Sequence, residues 1–334
     1  MARSAARASA RGAFPILAEM STTTLVTGAA GFAGSHLLDR LAQDGADGAE
    51  IVAWHRPGGR LPPAAGRARW QAVDLLDALS VRRAIAELRP DVVFHCAGAA
   101  HVGRAWDEVE STLAINVRGT HHVLDALRRA GVKARVVIPS SALVYAGRNA
   151  PLSEDAALVP TSPYGLSKLA QELVGLHAIG DGIDVTIARA FNHVGPRQDP
   201  WFVASGFARR IADIEAGRWE PEIAVGNLDA RRDLTDVRDT ARAYQLIVAR
   251  AQPGRPYNVC SGRAIAIRDL LDMMLARARV PIAIRVDPSR YRPNDTPLIL
   301  GDPSRIHAEL GWTAEIPLER TLDDLLTDWR TRAV

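Results

Sequence analysis

A glycine-rich turn near the start of the chain constrains the fold more than any other feature of the sequence. A short β-branched run, Thr24–Thr27, leads straight into the segment Thr27–Gly34 (TGAAGFAG), and an amphipathic stretch follows. In a strand–turn–helix unit, Gly28 permits the tight turn, Gly31 lets a pyrophosphate approach the backbone, and Gly34 allows the helix to pack closely on the strand. The free N–H groups and the positive dipole end of the helix favour phosphate groups. The turn therefore predicts a dinucleotide site at the start of a βαβ unit.

The stretch from Thr22 to Phe191 alternates short apolar runs with amphipathic segments, and this alternation predicts the fold class. It is typical of an α/β protein with a Rossmann-type, doubly wound parallel sheet. The run Val136–Ile138 is apolar on successive residues, as in a strand buried on both faces. The predicted strands are Thr24–Thr27, Ile51–Trp54, Arg69–Val73, Val92–Cys96, Arg135–Ser140 and Asp184–Arg189. The predicted helices are Gly34–Gln43, Ser80–Glu87, Gly119–Ala130 and Tyr164–Ala178.

Beyond Phe191 the pattern changes, and segments with Pro and Gly are mixed with helices. This change predicts a smaller C-terminal substrate lobe that leans on the carboxyl edge of the sheet. We predict a dinucleotide-binding domain over residues 21–190, with strands returned from later segments, and place residues 191–334 mainly in the lobe. The helices predicted after Phe191 lie around Phe202–Ala216, Asp239–Ala251 and Ile267–Ala278.

Composition narrows the class of protein and its partners. Of the 334 residues, 47% are hydrophobic and 24% charged, as in an ordinary globular protein. No apolar run approaches the roughly 18 residues that a membrane span needs. The formal net charge is +3, and the basic residues do not form a cluster that repeats along one face. We therefore predict no membrane or nucleic-acid partner and no metal site. Two cysteines, Cys96 and Cys260, are too few for a disulfide framework, which favours a cytoplasmic location.

The first 20 residues differ in composition from the rest of the chain. They are rich in Ala, Arg and Ser and poor in acids, which superficially fits a transit peptide. They contain no apolar stretch of the length that a signal-peptide core needs. We interpret residues 1–20 as a disordered leader, or as an extension that precedes a true start at Met20.

The end of the second predicted strand bears on which nicotinamide dinucleotide is bound. An Asp or Glu that binds the ribose 2′-hydroxyl of NAD is expected about 20 residues after the glycine turn. The chain has Ala53–Arg56 there, without an acid, and Arg56 can bind a 2′-phosphate. We therefore predict that NADP(H) is preferred and that NAD(H) is possible. The full predicted cofactor set, in the turn, after successive strands and on one later helix, is Gly28, Gly31, Phe32, Ala33, Arg56, Asp74, Leu75, Ala97, Gly98, Tyr164 and Lys168.

A tyrosine and a lysine four residues apart form part of the predicted catalytic group. Tyr164 and Lys168 follow Pro163, which suits the start of a helix, and residues at this spacing share a helix face. The ammonium group is expected to lower the phenol pKa from its usual value of about 10, so that Tyr164 can exchange a proton with a substrate oxygen. Ser141 follows the fifth predicted strand, at the sheet edge where ligands bind, and its hydroxyl can bind the same oxygen.

With these pieces in order, the chain resembles the extended short-chain dehydrogenase/reductase family over nearly all of residues 22–330. Members of this family act on nucleotide sugars as epimerases, dehydratases or ketoreductases, and many form dimers through a four-helix contact. The resemblance therefore implies an NAD(P)-dependent enzyme and a homodimer. The matching segments are Gly28–Gly34, His95–Gly98, Asn116–Thr120, Ser140–Tyr145 and Tyr164–Lys168.

Parts of the predicted lobe resemble the branch of this family that handles GDP-mannose derivatives. By this resemblance Asn192 contacts the sugar diphosphate. Arg232 and Arg292 hold the phosphates, a task that the planar guanidinium group suits. Asp295 and Ser141 complete the implied substrate site, and the implied substrate is a GDP-linked hexose. The segments that carry this resemblance are Phe191–Pro196, Gly226–Asp233 and Arg292–Pro297.

The two residues after Ser141 bear on the reaction. Sugar 4,6-dehydratases of this family have an acid pair here, which removes the C5 proton and protonates the departing 6-hydroxyl. This chain has Ala142 and Leu143, and neither can exchange a proton. The resemblance therefore implies NADPH-dependent reduction of the C4 ketone of GDP-4-keto-6-deoxy-D-mannose to GDP-D-rhamnose, with Tyr164 as the proton donor.

Other functions stay open at this point. A GDP-mannose 4,6-dehydratase or a nucleotide-sugar 4-epimerase would use the same Ser, Tyr and Lys. A 3,5-epimerase-reductase would need an added acid/base pair, and Leu143 stands where that group has a cysteine. His193 is a further candidate base, although a histidine beside a Gly-Pro turn is also a common structural residue. A dinucleotide-binding regulator without activity usually lacks the Tyr-x-x-x-Lys pair.

Overall fold

A parallel sheet of seven strands forms the centre of the fold. A computed structural model describes residues 22–44, 49–61, 68–290 and 296–332. The strands of the sheet are β1 (Thr23–Thr27), β2 (Glu50–His55), β3 (Arg69–Ala72), β4 (Val92–His95), β5 (Arg135–Ser141), β6 (Asp184–Ala190) and β10 (Pro256–Val259). Their order is β3-β2-β1-β4-β5-β6-β10, and every pairing is parallel. The order reverses between β1 and β4, which creates the crevice where doubly wound sheets bind ligands.

Helices cover both faces of this sheet. Adjacent residues of β1 show why: Leu25 is buried with Val81 and Leu127 on one face, and Val26 with Leu37 and Tyr244 on the other. The predicted Rossmann-type α/β class is therefore confirmed. The helices are α1 (Phe32–Asp44), α2 (Ala78–Leu88), α3 (Val109–Leu113), α4 (Gly119–Arg129), α5 (Pro163–His177), α6 (Val203–Glu215), α7 (Val237–Arg250), α8 (Ile267–Leu275), α9 (Ser304–Leu310) and α10 (Leu318–Arg332). A π-helical turn, Ala114–Arg118, joins α3 to α4.

Helix α7 lies in a different layer from the one that the sequence pattern suggests. The sequence analysis groups it with the lobe, but Tyr244 and Ile247 are buried against the sheet with Val26 and Phe94. Strand β10 then pairs with β6, and α9 packs against the same core through Ile306. The chain therefore returns to the sheet after entering the lobe. An amphipathic pattern identifies the buried face of a helix but not the surface that covers it.

The lobe has its own sheet and its own core. Strand β9 (Arg231–Asp236) pairs with three short strands, and helices α6, α8 and α10 share one hydrophobic cluster with it. The carboxylate of Asp233 accepts hydrogen bonds from the backbone N–H of Ser261 (2.8 Å) and of Gly301 (3.2 Å), which ties β9 to the segment after β10 and to the segment after Ile299. The other lobe strands are β7 (Asn192–Val194), β8 (Glu222–Val225), β11 (Ala264–Ala266), β12 (Ala283–Val286) and β13 (Leu298–Ile299).

Two properties of the described segments bear on the predicted partners. Across the described segments, no helix has both the length and the apolar character that a membrane crossing requires. The same residues contain no group of three or more His, Cys, Asp or Glu side chains placed to hold a metal ion.

Candidate active site

The glycine turn joins β1 to α1 and lies against the end of β4. Gly28 has a φ of +63°, and a Cβ there would lie 2.5 Å from the Cα of Ala97, so a larger residue does not fit. A Cβ on Gly34 would lie 2.4 Å from the carbonyl oxygen of Gly28, which is how helix and strand come so close. Gly31 is exposed at the helix N-terminus, so its backbone is open to a phosphate group. The turn has the form that a pyrophosphate requires.

Three predicted cofactor residues lie where β2 and β3 end. Arg56 is exposed directly after β2. The carboxylate of Asp74 accepts a hydrogen bond from the backbone N–H of Leu76 (2.9 Å), so it caps its own turn. Leu75 lies beside helix α4, and its carbonyl oxygen accepts a hydrogen bond from His122 Nδ1 (2.7 Å). All three are at the carboxyl edge of the sheet, on the same side as the glycine turn.

The loop after β4, which holds Ala97–Gly98, is tied to the catalytic helix by a residue that the sequence analysis did not single out. Asn116 is fully buried, and its Oδ1 accepts a hydrogen bond from the backbone N–H of Ala99 (2.8 Å). Its Nδ2 donates to Ser167 Oγ (2.8 Å), and Ser167 in turn donates to the carbonyl oxygen of Tyr164 (2.7 Å). Asn116 opens one of the segments that resemble the family, which is the signal that points to it.

Ser141 and Tyr164 come together as predicted from their places in the chain. Ser141 ends β5, and Tyr164 lies in the first turn of α5. Ser162 caps this helix by accepting a hydrogen bond from the backbone N–H of Gly165 (3.0 Å), and Pro163 occupies the first helical position. These signals fix where the helix starts, and the start places the phenol close to the Ser141 hydroxyl.

The expected lowering of the phenol pKa is wrong for this structure. Burial raises the pKa of Tyr164 to about 12, and the hydrogen bond with Ser141 opposes this only in part. The amine of Lys168 does not contribute, because it is bound elsewhere. The phenol therefore keeps its proton at neutral pH, which is the form that a proton donor needs.

Lys168 is buried one turn after Tyr164. The residue is only 7% exposed, and its Nζ donates a hydrogen bond to Gln171 Oε1 (2.5 Å). Burial lowers the pKa of Lys168 to about 8, against the opposing influence of Glu172 and Cys96. Gln171 is not among the predicted site residues, although its place three residues after Lys168 on the same helix could have indicated it.

Helix α1 is also fastened to the loop that leaves β6 for the lobe. Residues on one face of α1 make three contacts with that loop. Phe32 stacks on the ring of His193, with centroids 5.6 Å apart and planes 6° apart. His36 Nε2 donates to the carbonyl oxygen of Pro196 (2.8 Å). Arg197, whose backbone has a left-handed φ of 70°, binds Asp39 at 2.5 Å.

These contacts give the side chains of Phe32 and His193 a structural role. His193 Nδ1 donates to the carbonyl oxygen of Phe191 (3.1 Å), and burial lowers the pKa of the ring. A neutral ring held between a backbone carbonyl and a phenyl ring positions the loop, which favours the structural role of His193 over that of a base. Phe32 provides the other half of the stack, and its place in the cofactor site stays a prediction.

Two of the predicted substrate residues, Asn192 and Arg232, lie on strands of the lobe. Asn192 is exposed at the start of β7 and pairs in register with Leu234 of β9. Arg232 lies on β9, and its Nη1 donates to the carbonyl oxygen of Thr296 (2.8 Å). Arg292 and Asp295, just before Thr296 in the chain, lie outside the described residues.

The residues that follow Ser141 form a short apolar turn. Ala142 is buried, and Leu143 packs with it against a cluster that includes Phe191. The carboxylate of Glu172 lies close by but is not available for proton exchange with a ligand. It is 1% exposed and is held by Arg189 Nη2 (2.8 Å). The site offers a hydroxyl pair but no free acid pair among the residues described here.

Comparison with known proteins agrees with this geometry. The family model described as GDP-mannose 4,6-dehydratase matches residues 25–325. The chain is 36% identical to the GDP-6-deoxy-D-mannose reductase of Pseudomonas aeruginosa, over 94% of this chain and 99% of that one. It is 31% identical to the UDP-glucose 4-epimerase of Mycolicibacterium smegmatis, over 93% and 99%. The solved structure of RMD from Pseudomonas aeruginosa complexed with NADPH superposes with a TM-score of 0.79 at 34% identity, covering 93% and 99% of the two chains.

Proposed function

The chain belongs to the GDP-mannose 4,6-dehydratase family, and from this premise we propose that it is an NADPH-dependent 4-ketoreductase of a GDP-linked hexose. Its substrate is GDP-4-keto-6-deoxy-D-mannose and its product is GDP-D-rhamnose. The observation that carries the proposal is a Ser141–Tyr164 pair, close enough for the serine to influence the phenol, followed by an apolar turn. The 36% identity to a GDP-6-deoxy-D-mannose reductase over almost the whole chain supports the same assignment.

The chain's own residues have distinct tasks in this reaction. Ser141 binds the C4 ketone oxygen, and Tyr164 donates its proton to that oxygen as charge develops on it. The exposed backbone at Gly31 and the N-terminus of α1 fit the pyrophosphate of a nicotinamide dinucleotide. Bound NADPH supplies the hydride. Asn192, together with Arg232 and Arg292, is assigned to the sugar diphosphate.

The apolar turn after Ser141 disfavours a dehydratase. A dehydratase needs an acid and a base beside C5 and C6, and Ala142 and Leu143 provide neither. The nearby Glu172 is already paired with Arg189. A 4-epimerase would use the same Ser, Tyr and Lys, and the higher identity to the GDP-6-deoxy-D-mannose reductase (36%) than to the UDP-glucose 4-epimerase (31%) favours reduction.

A coupled assay tests the proposal. The protein is incubated with NADPH and GDP-mannose, with and without a separate GDP-mannose 4,6-dehydratase. We expect NADPH oxidation only in the coupled mixture, together with a GDP-deoxyhexose that has no ketone. Formation of a 4-ketosugar from GDP-mannose by this protein alone would make it a dehydratase. Interconversion of two hexoses without net NADPH use would make it an epimerase.

The preference for NADPH is assigned to Arg56. Removal of a charged hydrogen-bond donor to a phosphate costs roughly 1.5–3 kcal/mol, so Arg56→Ala is expected to raise the KM for NADPH about tenfold or more. NADH has no 2′-phosphate, and its KM should change less than twofold in the same variant. Steady-state kinetics with both cofactors measures this. Equal effects on NADPH and NADH would remove Arg56 from the 2′-phosphate site.

A homodimer is proposed through helices α3 and α5. Leu166 and Leu173 lie seven residues apart on α5 and are 51% and 60% exposed, and the adjacent α3 exposes Val109. The double variant Leu166→Asp, Leu173→Asp is expected to sediment as a monomer, since the charges cannot be buried in an apolar contact. Leu79→Asp, on α2 and 68% exposed, is the matched control and should remain dimeric. Wild-type protein that sediments as a monomer would disprove this contact.

The cytoplasm is the proposed location, on the basis of cysteine chemistry. Cys96 and Cys260 are free thiols, and burial raises the pKa of both. Thiols of this kind are usual in a reducing compartment.

A further inference from the structure

A chain of buried polar side chains leads from the strand before the glycine turn to Lys168. Thr27 ends β1, His95 ends β4, Thr120 lies on α4, and Gln171 lies on α5; each is at most 2% exposed. Such a set in an otherwise apolar core needs a reason, because unpaired polar groups are costly there. The contacts are Thr27 Oγ1–His95 Nδ1 (2.9 Å), His95 Nε2–Thr120 Oγ1 (2.9 Å), Gln171 Nε2–Thr120 Oγ1 (2.7 Å) and Lys168 Nζ–Gln171 Oε1 (2.5 Å).

The donors and acceptors at the lysine end can be arranged in only one way. An ammonium group only donates, so Gln171 must present its oxygen to Lys168 and its NH2 group to Thr120. The hydroxyl proton of Thr120 is committed to the carbonyl oxygen of Asn116, which it meets at 2.6 Å. The Gln171 amide therefore cannot turn over without setting its NH2 group against the ammonium group.

The histidine end of the chain completes this order. Both lone pairs of Thr120 Oγ1 must accept, one from Gln171 and the other from His95 Nε2–H. His95 is neutral, because burial and the charge of Lys168 lower its pKa to about 3. Its Nδ1 therefore accepts from the hydroxyl of Thr27, whose oxygen accepts from the backbone N–H of Ala97 (3.3 Å). Both nitrogens of His95 and the hydroxyl groups of Thr27 and Thr120 then have partners.

The acceptor that the structure gives the buried Lys168 ammonium is an amide, not a carboxylate. Glu172, the next residue after Gln171, is engaged by Arg189 at 2.8 Å. The other titratable groups that interact with Lys168 are His95, which ends β4, and Cys96, which follows it. None of these supplies a second acceptor in hydrogen-bond contact with Nζ in the described residues. Among the described residues, Gln171 is thus the hydrogen-bond partner that holds the Lys168 ammonium group in place.

We propose that Gln171 is a positioning residue that holds the Lys168 ammonium group in the cofactor crevice beside Tyr164, with Thr120 and His95 fixing the orientation of its amide. The effect of this contact on catalysis rests on the proposed reductase function. The Gln171–Lys168 contact does not depend on that function, so an experiment can refute either one without the other.

The sequence makes a direct test possible, because it contains only two lysines, Lys133 and Lys168. Lys133 is exposed, and Lys133→Arg leaves Lys168 as the single lysine. In protein labelled with ¹³C-lysine, the Cε signal of this variant then reports the pKa of Lys168 alone. In this background Gln171→Leu is expected to lower that pKa by about one unit, the effect of losing a charge-assisted hydrogen bond. Gln171→Glu should raise it.

A second pair of variants tests the role of Thr120 without touching the lysine contact. Thr120→Ser keeps the hydroxyl and should leave the Lys168 titration as in the wild type. Thr120→Val removes the group that orients the Gln171 amide and should lower the Lys168 pKa in the same direction as Gln171→Leu. This pair also decides the question if Gln171→Leu does not fold.

Kinetics connects the contact to the reaction. Lys168 titrates near pH 8, so kcat/KM for GDP-4-keto-6-deoxy-D-mannose with NADPH should fall above about that pH. The pH at which kcat/KM falls should be lower in Gln171→Leu and higher in Gln171→Glu, by the same amounts as the Lys168 pKa in the titration. An unchanged Lys168 pKa in all variants would overturn the proposal. If the Lys168 pKa shifts but the pH at which kcat/KM falls does not, the link between the Gln171 contact and catalysis is wrong. Absence of turnover in the wild type would instead refute the proposed function.

Discussion

Tyr164→Phe is expected to lower kcat for ketone reduction by about 10²–10⁴-fold, the usual contribution of a positioned proton donor. The ring stays, so packing at the start of α5 is kept, and only the hydroxyl that contacts Ser141 is lost. Because the wild-type phenol has a pKa raised to about 12, it is protonated throughout the working range. Its loss therefore removes the donor at every pH. NADPH affinity, measured by fluorescence titration, should change little.

Tyr145→Phe is the matched control for this experiment. Tyr145 is also a buried tyrosine near the end of β5, but its hydroxyl donates to Asn258 Oδ1 (2.6 Å) and accepts from Arg189 Nη1 (3.0 Å). Its loss should lower stability and leave kcat close to the wild-type value. If Tyr164→Phe retains more than half of the wild-type kcat, another group delivers the proton.

Arg189→Met should lower the free energy of unfolding by about 3–5 kcal/mol, the usual cost of leaving a buried charge without its partner. Arg189 is 4% exposed and Glu172 1% exposed, and the guanidinium group contacts both carboxylate oxygens. It also donates to the carbonyl oxygen of Glu154 (3.0 Å). Urea denaturation followed by circular dichroism gives the change.

A double variant distinguishes a lost ion pair from lost packing. Without Arg189, the Glu172 carboxylate is a buried charge without its partner. The double variant Glu172→Leu, Arg189→Met removes both charges and should recover part of the deficit. A deficit of the same size in the double variant would show that charge is not the cause.

The sequence was sufficient to predict those parts of the candidate site that lie within one contiguous segment. The glycine turn, the Tyr164–Lys168 spacing and the place of Ser141 at a strand end each follow from local rules, and the structure assembles them at one edge of the sheet. Whether α7 packs on the sheet or in the lobe was not predictable in this way. Its apolar face fits either the lobe or the sheet, and only long-range packing decides between them.

Two aspects of the site needed three-dimensional information. Gln171, Thr120, His95 and Thr27 come from four different elements, so no motif contains them together. The pKa of Tyr164 depends on how deeply the phenol is buried, and sequence spacing indicates its charged neighbours but not its solvent exposure. For this reason the expected direction of the pKa shift was wrong, and the catalytic role of Tyr164 stays a prediction.

The return of the chain to the sheet through β10 has a consequence for synthesis of the protein. Strand β6 is buried along almost its whole length, yet the neighbour on its outer side comes from residues 256–259. Until the ribosome has released the intervening 65 residues, 191–255, this apolar strand has an open edge. Open edges of this kind recruit other chains. Premature termination within residues 191–255 should therefore yield insoluble fragments rather than an isolated dinucleotide-binding domain.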